Sequence, residues 1–124
     1  MIIVDTSVWV DHLKTGEPEL TSLLNAGKVY GHALVVAEVA LGSLRSRDLI
    51  LNLLDDLPQA TIASTEEVRT FIEKQSLFSR GIGYVDVCLL ASCRLRGGTK
   101  IWTRDKRLAR IAFDLNLEYT PSQH

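Results

Sequence analysis

The chain has 124 residues, 46% of them hydrophobic, only three prolines and a formal net charge of −1. That is enough for one domain, 1–124, with a real core, and it excludes a long disordered tail. It also excludes a membrane span, because no uninterrupted apolar run approaches the roughly 20 residues a bilayer requires.

The chain opens on a strand-like run, Ile2-Ile3-Val4, too short for a signal peptide, so a soluble cytoplasmic protein is expected. A helix runs from there to about Thr15 and stops at Gly16. Glu17-Pro18 opens a second helix, with Pro at a tolerated first-turn position, and Gly27 ends it. Lys28 to His32 reads as a short strand, followed by a helix that carries Glu38 and stops near Gly42. An amphipathic helix then places Leu49, Ile50, Leu53, Leu54 and Leu57 on one face and ends at Pro58. Ala60 to Ala63 is a strand candidate. Ser64-Thr65-Glu66-Glu67 is a capping box that launches a helix with Val68, Phe71 and Ile72 inward. The loop Ser79 to Gly83 leads into a helix bearing Asp86 that runs to Gly97-Gly98. A strand at Lys100 to Thr103, a helix marked by Leu108, Ile111, Ala112 and Leu115, and a short strand at Leu117 to Tyr119 complete the chain. Strands alternate with helices or helix pairs, so the fold class is α/β: a short central parallel sheet of about four to five strands, flanked by helices on both faces.

Four acids interrupt or close these apolar runs. Asp5 ends the first strand, Glu38 breaks Val35 to Leu41, Asp86 breaks Tyr84 to Ala91, and Asp105 follows the strand at Lys100. A carboxylate buried alone is costly, so it neutralises, finds a partner or binds a metal. Neither interrupted run contains a Lys, Arg or His. In open parallel sheets the ligand crevice lies beyond the carboxyl ends of the strands, where Asp5 and Asp105 sit and toward which Glu38 and Asp86 can lean. Mg²⁺ and Mn²⁺ prefer such oxygen ligands. One ion can activate a water, and a second, ~4 Å away, can stabilise the leaving oxygen of a phosphoryl displacement.

Residues 80–110 hold eight cations against Asp86 and Asp105, which leaves the rest of the chain strongly acidic. A polyanion drawn to a metal centre needs such a rim, and Arg80, Arg104, Lys106 and Arg107 are its candidate RNA contacts. Together these parts suggest hydrolysis of a nucleic-acid phosphodiester.

Asp5-Thr6-Ser7 after a first strand, Glu38 in an apolar helix, Gly81 through Asp86 before a helix, and Thr103-Arg104-Asp105 after a late strand resemble the PIN-domain ribonucleases. The compact length is most similar to the VapC toxins of VapBC toxin–antitoxin modules. The resemblance covers essentially the whole chain and implies a single PIN-like domain acting as a Mg²⁺- or Mn²⁺-dependent endoribonuclease. Asp5, Glu38 and Asp86 would be the core metal ligands, and Asp105 the fourth acid, holding a second ion or a water. Thr6, Ser7 and Thr103 would orient ligands or waters. A type II toxin that arrests translation or growth, a homodimer and a VapB-like antitoxin partner follow from the same resemblance.

Each residue also has a plainer reading. Asp5 and Asp105 can simply cap the helices that follow them, and Asp86 can be a first-turn acid favoured by the helix dipole. His12 reads as a surface residue, His32 as a packed or edge histidine, and His124 as the chain's last residue. Trp9 and Trp102 read as core more than as base-stacking platforms. Cys88 and Cys93 lie about 140° apart around their helix and read as buried small hydrophobes, not a bridge. A receiver-type signalling domain would need an acid pair after the first strand, an acceptor Asp ending a middle strand and a late Lys, and the chain lacks all three. A non-catalytic RNA-binding or regulatory relative stays as the alternative.

Overall fold

The first strand, β1 (Ile2–Val4), buries all three of its residues, at 8%, 0% and 1% exposure. Successive strand residues point to opposite faces, so both faces of the sheet are covered there. In the computed structural model, which describes residues 1–122, β1 lies at the centre of a three-stranded parallel sheet ordered β2-β1-β3. Strand β2 (Val29–Tyr30) aligns Val29 with Ile2, and β3 (Lys100–Trp102) aligns Lys100, Ile101 and Trp102 with Ile2, Ile3 and Val4.

Between β1 and β2 lie α1 (Thr6–Thr15) and α2 (Pro18–Asn25). Between β2 and β3 lie α3 (Ala33–Ala40), α4 (Arg47–Asp55), α5 (Thr65–Gln75) and α6 (Tyr84–Leu95), and α7 (Lys106–Asp114) follows β3. The α/β class and the parallel sheet thus stand as read. The outer strand candidates, however, shrink to single parallel bridges, Gly31 to Gln59 and Ile101 to Glu118. They sit where a fourth and fifth strand would, with Ala60 N–H donating to the Gly31 carbonyl and Tyr119 N–H to that of Ile101.

The local signals behave as written. Gly16 takes φ 78°, Pro18 is the first residue of α2, and Ser64 and Glu67 form the full reciprocal capping box of α5. Helix α6 buries every residue from Val87 to Cys93, as expected of a helix enclosed on all sides. Both cysteines there are free and buried, and Trp9 and Trp102 belong to the core. Helix α4 departs from its pattern: Leu54 alone is buried, while Leu49 and Leu53 are 59% and 54% exposed. Its apolar face is wider than the surface that receives it.

Two histidines are tied down internally. His32 caps α3, accepting the Leu34 N–H on Nδ1 at 3.2 Å, and its Nε2–H donates to Ser92 Oγ on α6 at 3.0 Å. It is 1% exposed, and burial lowers its pKa to about 4. His12, read as a surface residue, is half-buried: Nδ1 accepts the Glu17 N–H and its ring meets the edge of Trp9. His124 lies outside the described residues. No helix among the described residues is long and apolar enough to cross a membrane.

Candidate active site

The chain leaves β1 to reach β2 on one side, and β3 returns to pair with β1 on the other. Adjacent strands whose connections run in opposite directions leave a crevice at their carboxyl ends, the usual ligand position in such sheets. Asp5 follows β1 directly and its N–H donates to the Trp102 carbonyl, so the last residues of β1 and β3 are stitched together where the crevice opens.

Asp5 stands at the N-cap position of α1 but makes no side-chain cap hydrogen bond. Its Oδ2 instead accepts two hydroxyls, Ser7 Oγ at 2.8 Å and Thr103 Oγ1 at 2.7 Å. The side chain is 5% exposed, so a buried carboxylate is held in one orientation while Oδ1 keeps its lone pairs. The capping reading of Asp5 is therefore superseded. Behind the two hydroxyls stand backbone donors: Arg104 N–H reaches Ser7 Oγ and Asp105 N–H reaches Thr103 Oγ1, both at 3.1 Å.

Glu38 is half-buried in the apolar helix α3 and accepts the Thr6 hydroxyl on Oε1 at 2.7 Å, which leaves Oε2 uncommitted. Asp105 does cap its helix: Oδ1 accepts the N–H groups of Arg107 and Leu108, and Oδ2 remains for a ligand. Capping and coordination are compatible in one carboxylate with two oxygens.

Asp86 reports the electrostatics of the group. Its pKa rises from 3.8 to about 6, first through burial and then through the charges of Asp5, Asp105 and Glu38. The Gly83 backbone hydrogen bond opposes the rise and does not win. All four acids thus share one field despite being spread over 100 residues of sequence. Among the described residues no three His, Cys, Asp or Glu side chains stand already drawn in on one point. The donor set nevertheless fits a hard divalent cation. It is all oxygen, at least three of its carboxylates keep an uncommitted oxygen or a displaceable proton, and their mutual repulsion is the term a cation would reverse.

The cations of residues 80–110 divide into two groups. Arg80 pairs with Asp114 at 3.2 Å, and Arg104 is held by Asp11 and Glu17. Lys106 and Arg107 are exposed and make no ion pair among the described residues. Arg107 Nη1 rests on the Gly81 carbonyl, where Gly81 at φ +76° leaves room that a Cβ would fill at 2.8 Å. Missed in the sequence were Asp11 and Glu17, whose role depends on contacts 93 and 87 residues away and leaves no local signal.

Beside the crevice, Val10, Leu13, Lys14, Val39, Leu44, Arg45 and Ile50 line a groove of about 680 Å³, with Glu38 in its wall.

The PIN domain family model matches residues 2–114. Two curated relatives, both Ribonuclease VapC32, come from Mycobacterium tuberculosis strains CDC 1551 / Oshkosh and ATCC 25618 / H37Rv. Each is 45% identical over 108 residues, covering 87% of this chain and 87% of the relative. The chain belongs to the PIN-domain family and is VapC-like.

Proposed function

We propose that the chain is a Mg²⁺- or Mn²⁺-dependent endoribonuclease whose metal ligands are Asp5, Glu38 and Asp86, with Asp105 as the fourth acid. The observation that carries this reading is the orientation of Asp5, a buried carboxylate gripped by two hydroxyls on one oxygen, whose charge acts on Asp86 together with those of Asp105 and Glu38. Ligating carboxylates are characteristically oriented by such outer hydrogen bonds. One or two divalent ions would supply charge neutralisation and a water acidic enough to attack phosphorus.

The protein's own part is positioning. Ser7 and Thr103 fix Asp5, Thr6 fixes Glu38, and the α7 N-terminus fixes Asp105. Asp86, its pKa raised to about 6 by burial and by the charges of Asp5, Asp105 and Glu38, would be favoured in its ionised form by a cation held among the acids. Lys106 and Arg107 follow Asp105 at the start of α7 and would offer backbone phosphates a point charge and a fork respectively. Arg80 and Arg104 join them only by releasing the acids that now hold them.

The relatives' name, Ribonuclease VapC32, supports RNA as substrate and a VapB-like antitoxin as partner. A toxin role in the cytoplasm, a homodimer as working form and arrest of translation or growth as outcome are the further parts of this proposal. The test is to incubate partner-free protein with end-labelled RNA, with and without Mn²⁺ or Mg²⁺, beside Asp5→Asn. Internal cuts that require metal and vanish in the variant support the reading. Equal products from both proteins, or none from either, contradict it.

A further inference from the structure

The β3–α7 loop is only Thr103, Arg104 and Asp105, and each residue reaches a different place. Thr103 binds Asp5, Asp105 caps α7, and Arg104 turns its side chain toward the α1–α2 junction. There its guanidinium forks: Nη1 donates to Asp11 Oδ2 in α1, and Nη2 donates to Glu17 Oε2 at the N-cap of α2, 2.5 Å away. Glu17 divides its oxygens, since Oε1 accepts the Glu19 N–H while Oε2 serves Arg104. The guanidinium carbon lies 6.0 Å from the centre of the Trp102 ring, which is itself buried.

We infer that Arg104 is a positioning residue for the metal ligands, a strap that holds the β3–α7 loop against α1 and so keeps Thr103 on Asp5. This rests on the metal-nuclease reading above. Three physical arguments support it. A planar fork engaging carboxylates on two separate elements restricts orientation as a single point charge cannot. The same loop also sends the Arg104 N–H to Ser7 Oγ, so displacing it disturbs both hydroxyls that orient Asp5. In addition, a guanidinium released beside four carboxylates is a competitor for the metal's place, and Asp11 and Glu17 hold it away.

The test reads metal binding directly, by titration calorimetry of the intact protein with Mn²⁺ in the absence of RNA, with thermal unfolding to confirm that each variant folds. Arg104→Ala and the combined Asp11→Ala with Glu17→Gln, which opens the strap from the other end, should each weaken Mn²⁺ binding about tenfold, at the lower end for outer-shell partners. Arg104→Lys, which reaches one carboxylate but not both, should fall between. At saturating Mn²⁺ the KM for RNA should match the wild type. Wild-type Mn²⁺ affinity in either strap-opening protein overturns the inference alone, as does a raised KM with unchanged metal binding, the signature of a phosphate contact. Failure of the wild type to bind Mn²⁺ overturns the nuclease reading and the strap together.

Discussion

Thr103 and Asp5 stand 98 residues apart in sequence, yet the Thr103 hydroxyl donates to Asp5 Oδ2 at 2.7 Å. The contact is possible because β1 and β3 are parallel neighbours in register, so whatever follows Val4 meets whatever follows Trp102. Thr103→Val keeps the shape and removes the donor. RNA cleavage should fall about 10- to 100-fold, as for other outer-shell partners of metal ligands, while Thr103→Ser stays near wild type. Single-turnover rates of the two variants decide the matter.

Asp86 and His32 place opposite pH slopes on the stability of the metal-free protein. Asp86 has its pKa raised from 3.8 to about 6, so its contribution is fully present below about pH 4 and is lost as pH rises through 6. Asp86→Asn should therefore raise the Tm of the metal-free protein at pH 7 and leave it unchanged near pH 4. Because Mn²⁺ must displace the Asp86 proton, the Tm increase given by Mn²⁺ to the wild type should be larger at pH 7.5 than at pH 5. Differential scanning fluorimetry across pH measures both.

His32 is lowered from 6.5 to about 4, so its contribution is complete above pH 6.5 and lost as pH falls through 4. His32→Asn retains a cap for α3 but strands the Ser92 hydroxyl, which is 1% exposed. Urea unfolding at pH 7 should show a loss of about 1–3 kcal/mol, the cost of an unsatisfied buried group. Between pH 6.5 and 4 the variant should lose less stability than the wild type does.

Packing can be tested at two leucines. Leu89 is fully buried in α6, and Leu89→Ala should cost about 2–5 kcal/mol in urea unfolding. Leu53 in α4 is half exposed, and Leu53→Ala should stay within about 0.5 kcal/mol, as for a surface site. A large loss at Leu53 would mean that the exposed face of α4 is covered in solution.

The acids were legible because each breaks a rule that ordinary residues obey: Glu38 and Asp86 interrupt apolar runs, and Asp5 and Asp105 stand at strand ends where a parallel sheet opens its crevice. Helix stops and the capping box at Ser64 were legible because their chemistry is local. The outer strands were not. Ala60 to Ala63 and Leu117 to Tyr119 have suitable side chains, but a strand's extent depends on its neighbour's length, and β2 spans only two residues. Leu49 and Leu53 fit a helical face, yet periodicity does not say how much of that face is covered. The rivalry between capping and orientation at Asp5 was decided by Thr103, and the engagement of Arg104 by Asp11 and Glu17. Neither is visible without the register that brings them together.

Crystals of the protein soaked in Mn²⁺ and measured at the manganese absorption edge test the metal site most directly. One or two anomalous peaks are expected among Asp5, Glu38, Asp86 and Asp105, with Asp5 Oδ1 bonded to an ion and Oδ2 still on Ser7 and Thr103. A peak elsewhere, or none among these acids at saturating Mn²⁺, would contradict the assignment.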